Sequence, residues 1–191
     1  DVCSSDLLIA YPIAYVLARK TSPALARIVL LLFTVPFLIN YVVRNVAWTG
    51  LLGRTGTINA FLVSAGISDA PVDWLLYSDF SVFLGLISTY MPFMIFPLVL
   101  SIAAIDRQYL EASADLGASS FNTFRRVTLP LSLPGIFAAI VFGFVGCLGE
   151  SAVPIIMGGV GYELLGNTIT SSMDVLNYPL AAALSTIVIV L

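Results

Sequence analysis

The chain has 191 residues, 59% of them hydrophobic and 10% charged, with a net charge of −3. A soluble domain averages about 25% charged residues, so this chain lacks the polar surface to cover a globule, and lipid is the expected solvent for most of it. It has no histidine, no basic stripe and only two cysteines, Cys3 and Cys147, which leaves no basis for histidine general-base chemistry, nucleic-acid binding, a zinc site or a disulfide framework.

Asp1–Leu7, DVCSSDL, reads as the in-frame translation of a common sequencing adapter and is expected to be foreign to the natural protein. It has no basic n-region and so is no signal peptide. A spanning helix needs about 20 mostly apolar residues. Residues 8–18, closed by Arg19 and Lys20, read as the tail of a truncated span, and residues 24–43 as a full one, bounded by Arg27 and Arg44. Asn40 is expected to pack at its outer end. Residues 80–103 and 133–154 are further full spans, and residues 179–191 start another that is cut short. The chain therefore reads as a fragment truncated at both ends.

Counting Lys and Arg in the connections sets the orientation. Six lie on one side (Arg19, Lys20, Arg27, Arg107, Arg125, Arg126) and two on the other (Arg44, Arg54). The six-fold side, with the connection 106–130, is expected in the cytoplasm. On the outer side, residues 45–79 carry Trp48, Trp74 and glycine-broken apolar runs, and read as short interfacial helices. Asn59 and Asn167 are expected as turn or cap residues there. Pro92 and Pro97 fall within one span, which suits a bent, cavity-lining helix or mere packing.

The connection 106–130 is the most polar run of the chain. Asp106 suits an N-cap, and Tyr109, Ala112 and Leu116 then share a helical face. Gly117 sits where a helix C-terminus needs a left-handed residue. Ser119 or Ser120 can cap a second helix whose stripe is Phe121, Phe124 and Val127. A helix, a glycine elbow and a second helix fit docking into a partner's groove or an amphipathic hairpin lying on the inner leaflet.

The run Glu111, Ala112, Ser113, Gly117, Val127, Leu129, Pro130 resembles the EAA signature of ATP-binding cassette importer permeases: E-A-A, three residues, G, nine residues, I, one residue, L-P. It departs at Ser113, where that family has alanine, and at Val127, where it has isoleucine. The stretches "RNVAWTGLLGRTGTIN" and "GESAVPIIMGG" look like the spermidine/putrescine branch. The resemblance implies an all-α polytopic membrane protein with the type I importer fold, in the inner membrane of a prokaryote. It implies that the elbow, with Phe121 and Phe124, docks on a separate ATPase, and that Glu111 pairs with a basic residue there. It also implies a second permease subunit and an extracytoplasmic solute-binding protein as partners. The chain holds no P-loop, and its single lysine, Lys20, lies in a turn, so ATP is expected on the partner and no cofactor on this chain.

Glu150 is the one acidic residue of the expected span 133–154, about 25 Å along it at ~1.5 Å per residue. A charge there is costly and should face the bundle interior, which makes Glu150, with Pro92 and Pro97, a candidate for the solute path; the alternative is a solvated glutamate at a helix end. A secondary transporter or channel, which needs no ATPase, is the rival function. An intramembrane enzyme would need paired acids, a serine–histidine pair or a metal cluster, and the sequence offers none.

Overall fold

The structure is a computed structural model that describes residues 2–190. Asp1 and Leu191, the ends of the expected segments 1–7 and 179–191, lie outside the described residues, as do the side chains of Val2, Cys3, Ser4, Phe37 and Val190. The regular elements among the described residues are all helical. In chain order they are α1 (Val2–Arg19), α2 (Pro23–Leu38), α3 (Tyr41–Leu52), α4 (Thr57–Ser64), α5 (Asp79–Ala103), α6 (Arg107–Asp115), α7 (Ser120–Thr123), α8 (Leu129–Leu131), α9 (Leu133–Leu148), α10 (Ala152–Met157), α11 (Leu165–Asp174) and α12 (Tyr178–Val190). A 3-10 turn covers Asp73–Leu75, and a π turn, Phe124–Thr128, joins α7 to α8.

The expected span 80–103 falls on α5, which runs unbroken through Pro92 and Pro97. Residues 73–103 form the one described helical stretch long and apolar enough to cross a bilayer; two further stretches reach that length only as bent pairs of helices. The expected span 24–43 is corrected by one of these breaks. α2 ends at Leu38, shortly after Pro36, and the Asn40 carboxamide accepts the Val42 N–H at 2.9 Å to start α3. Asn40 is thus a cap. Arg44 donates to the Pro36 carbonyl at 3.0 Å and to the Thr89 hydroxyl at 3.2 Å. It thereby satisfies one of the carbonyls that the end of α2 leaves without an intrahelical donor.

The expected span 133–154 is corrected as well. α9 stops at Leu148, and residues 149–151 separate it from α10. Glu150 therefore lies in a break between helices.

The chain forms two compact units, residues 1–35 with 90–144, and residues 36–89 with 145–191. In the first, Ala10, Ala14 and Leu17 of α1, Met94, Ile95, Leu98, Val99 and Ile102 of α5, and Ala139 of α9 make one buried cluster. Lipid tails are as apolar as leucine, so helices in a bilayer associate through close packing between small residues. On α9 these are Gly135, Ala139 and Gly143, all buried and four apart. A Cβ on Gly135 would collide with the Ser101 Cβ and lie 2.8 Å from the Pro97 carbonyl oxygen, so α9 meets α5 there only as glycine. Leu31, Leu32, Phe137 and Val141 stay exposed on the helices of this unit, an arrangement suited to lipid and costly in water.

In the second unit, Asn59 is buried within α4 and staples the segment around it. Its amide nitrogen donates to the carbonyls of Gly53 at 3.0 Å and Val72 at 3.2 Å, and its oxygen accepts the Val72 N–H at 2.7 Å. The Ser81 hydroxyl and the Tyr77 N–H both donate to the Met157 carbonyl, at 2.7 and 3.1 Å, tying the start of α5 to the end of α10. Asn167 caps α11 as expected, accepting the Leu164 N–H and donating to the Tyr162 carbonyl.

Candidate functional site

Residues 106–130 fold as a helix, a glycine corner and a second helix. The Asp106 carboxylate accepts the Gln108 N–H at 3.0 Å and starts α6. At the other end the Ala118 N–H donates to the Ser113 carbonyl at 3.1 Å and the Gly117 N–H to the Ala114 carbonyl at 2.8 Å. This is the paired bonding of a Schellman motif, which satisfies two of the carbonyls at the end of α6 and fixes the corner. Gly117 has φ +79° with open space where a Cβ would stand, so backbone handedness and not crowding calls for glycine. Ser119 then caps α7, its hydroxyl accepting the Asn122 N–H at 3.4 Å.

The second helix of the elbow runs through the π turn and meets α9 at a 64° bend across Ser132. The π turn overturns one expectation. Phe121, Phe124 and Val127 share a stripe only if the helix is α throughout; an i→i+5 turn winds one residue more. Phe121 is 68% exposed. Phe124 is half-buried, its ring edge-on to Tyr11 at 5.9 Å and Tyr15 at 5.7 Å. The ring expected to dock outward is turned onto α1. The Tyr11 hydroxyl also lies 2.8 Å from the Ser132 hydroxyl.

A groove of about 490 Å³ opens across the corner, lined by Tyr109, Ala112, Ser113, Gly117, Asn122 and Val127 among others. Leu116 and Tyr109, 88% and 59% exposed, border it with apolar surface. Ser113, the departure from the alanine of the signature, places its hydroxyl 2.8 Å from that of Thr123 and bonds the two helices of the elbow. The groove thus gathers Ala112, Ser113, Gly117 and Val127 from the motif.

Glu111 is not among the groove-lining residues. Its carboxylate meets Arg107 Nε at 3.2 Å, a well-exposed i,i+4 pair of a kind worth about 0.3–0.5 kcal/mol, and it lines a separate cavity with Arg19 and Lys20. Leu129 is half-buried and Pro130 exposed, at the exit from the elbow.

Of the residues expected on the solute path, Glu150 is 6% exposed, so the solvated-glutamate alternative is overturned too. Its Oε1 accepts the N–H groups of Ala152 at 2.8 Å and Val153 at 3.1 Å, at the start of α10. Pro92 is buried, and the Pro97 carbonyl lies against Gly135. A cavity of about 750 Å³ in the second unit is lined by Tyr77, Tyr162, Glu163 and Ser171 among others and by none of these three. The Tyr162 hydroxyl bonds to Asp79, and burial, that hydrogen bond and the carboxylate charge raise the phenol above its ordinary 10.0. The sequence reading missed the clamp on Phe124. Its only trace in the sequence is Tyr11 and Tyr15 four residues apart, which a helix stacks on one side.

Helices with apolar side chains turned outward, carrying a capped polar elbow between two of them, define a polytopic helical membrane protein. The chain belongs to the family described as "binding-protein-dependent transport system inner membrane component", whose model matches residues 7–191. It is 37% identical over 180 residues to the spermidine/putrescine transport system permease protein PotB of Haemophilus influenzae, covering 94% of this chain and 62% of that one. It is 36% identical over 183 residues to PotB of Escherichia coli, covering 94% and 65%. The molybdenum transport system permease protein ModB of Mycobacterium bovis is 32% identical over 153 residues, covering 80% of this chain and 55% of the relative. The chain thus spans less than two thirds of the length of these relatives.

Proposed function

We propose that the protein is the permease subunit of an ATP-binding cassette importer of the inner membrane. It forms part of the path for a small polar solute, a polyamine such as spermidine or putrescine. The partners are an ATPase that holds the nucleotide, a second permease subunit and an extracytoplasmic solute-binding protein; the chain needs no cofactor of its own. The polyamine assignment rests on the higher identity and wider coverage of the PotB relatives compared with ModB.

One observation supports the coupling role above the rest. The elbow presents Tyr109 and Leu116 to solvent around a groove and Phe121 to solvent on its second helix, on a corner fixed at both caps and across Ser113–Thr123. Apolar side chains on a stiff exposed corner suit helix-in-groove docking. In the cycle, closure of the ATPase pushes the corner, which moves as one body, and the spanning helices alternate the access of the cavity. Glu150, Pro92 and Pro97 remain candidates for the path, with Glu150 acting from a capping position.

The test is co-purification of the full-length protein with its ATPase. Leu116→Asp combined with Phe121→Asp is expected to lose the ATPase while the protein still inserts and folds. Full retention of the ATPase by that variant removes the docking role. Uptake of labelled spermidine and putrescine by cells lacking other polyamine importers tests the solute, and gradient-driven uptake without ATP favours the secondary transporter instead.

A further inference from the structure

The cavity beside Glu111 is a separate feature of the first unit. It measures about 490 Å³ and lies between the end of α1 and α6, within the ~300–1,000 Å³ range of small-molecule sites. Arg19, Lys20 and Arg107 line it, against one carboxylate, Glu111. Arg107 spends its Nε on Glu111 at 3.2 Å. Arg19 is held in place by a 2.8 Å bond from its Nη2 to the Ile105 carbonyl, while its Nε is buried with no acceptor. Lys20 is exposed, and no acceptor is found for it among the described residues. Three cations, from the end of α1, the turn after it and α6, face one anion, and one of them holds an orphaned buried donor. Tyr15 and Leu110 supply an apolar wall to the same cavity.

We propose that this cavity binds a phosphate-bearing anion, held by Arg19, Lys20 and Arg107. A multiply charged oxyanion supplies acceptors to spare guanidinium and ammonium donors and offsets the excess positive charge. Two sources share this chemistry: the headgroup of an anionic phospholipid and free inorganic phosphate. α1 is an apolar helix that ends in Arg19, with Lys20 directly after it, the place where basic residues meet a membrane surface, and the apolar wall suits the glycerol end of a lipid.

The full-length protein in detergent is titrated with dioctanoyl phosphatidylglycerol, dioctanoyl phosphatidylcholine and inorganic phosphate, with binding followed by calorimetry. Phosphatidylglycerol is expected to bind more tightly than phosphatidylcholine. Lys20→Gln is expected to weaken its binding about fivefold, and Lys20→Arg to retain it. Lys20 is exposed, so both variants should fold, which circular dichroism checks. Saturation by phosphatidylglycerol alone supports the site with a lipid headgroup as its source. Saturation by phosphate alone, weakened in Lys20→Gln, supports the site with free phosphate as its source. The proposal is overturned if neither anion binds, if phosphatidylcholine binds as tightly as phosphatidylglycerol, or if Lys20→Gln binds like the wild type.

Discussion

The Phe124 ring stands edge-on to Tyr15, with centroids 5.7 Å apart and planes at 90°. Tyr11 meets the same ring at 77°, so the second helix of the elbow is fixed to α1 by an aromatic clamp. A double-mutant cycle of Phe124→Ala with Tyr15→Ala should return a coupling of about 0.5–1.5 kcal/mol in unfolding measurements. Additivity to within about 0.3–0.5 kcal/mol would mean that the rings merely sit near each other. Loss of the clamp should also lower uptake per ATP hydrolysed, because push on the elbow would no longer reach α1.

Gly117 holds φ +79° with room for a side chain. Gly117→Val should cost roughly 1–2 kcal/mol from backbone strain alone, and Gly117→Asn less, since asparagine tolerates this conformation. The valine variant should hydrolyse ATP without matched uptake. Normal coupling in that variant would count against the rigid corner.

Ser113 bonds to Thr123 across the elbow at 2.8 Å. Ser113→Ala restores the residue of the signature and should cost about 0.5–1.5 kcal/mol. Thr123→Val should cost a similar amount, and the double variant little more than either. Independent losses would show that the hydroxyls act on different partners.

Glu150 accepts two backbone N–H groups through one oxygen. Glu150→Ala should destabilise by about 0.5–2 kcal/mol, the usual loss of a cap. Glu150→Gln keeps an acceptor and should unfold close to wild type. If the charge also serves the solute path, the glutamine variant loses uptake with its stability intact. Unchanged uptake would confine Glu150 to capping.

Tyr162 has its phenol raised above 10.0 by burial, its bond to Asp79 and that carboxylate's charge. The folded state then holds this proton more tightly than the unfolded state does. Its contribution to stability is complete below the unfolded value and declines as pH rises through the folded one. Unfolding at rising alkaline pH should show a steeper loss for the wild type than for Tyr162→Phe. Identical slopes would place the phenol in water.

By itself the sequence determined the local structure of the elbow. Asp106, Gly117 and Ser119 act on backbone groups at most a few residues away, and such short-range chemistry follows from residue type and spacing alone. The same holds for the all-helical class, because apolar runs in lipid must satisfy their own hydrogen bonds. Two of the three expected full spans, 24–43 and 133–154, are interrupted by breaks between helices, which the sequence did not show, since a break depends on what satisfies the freed backbone groups. Asn40 and Glu150 each supply a cap at such a break, and Arg44, joining Pro36 to Thr89, takes up a carbonyl at one of them. Only the tertiary structure decided which way Phe124 turns, that Ser113 finds Thr123, and that Arg19, Lys20 and Arg107 share a cavity. These depend on α1 meeting the π turn and α6, which lie far from it in the chain, and on a π turn that shifts the helical phase, neither of which leaves a period in the sequence.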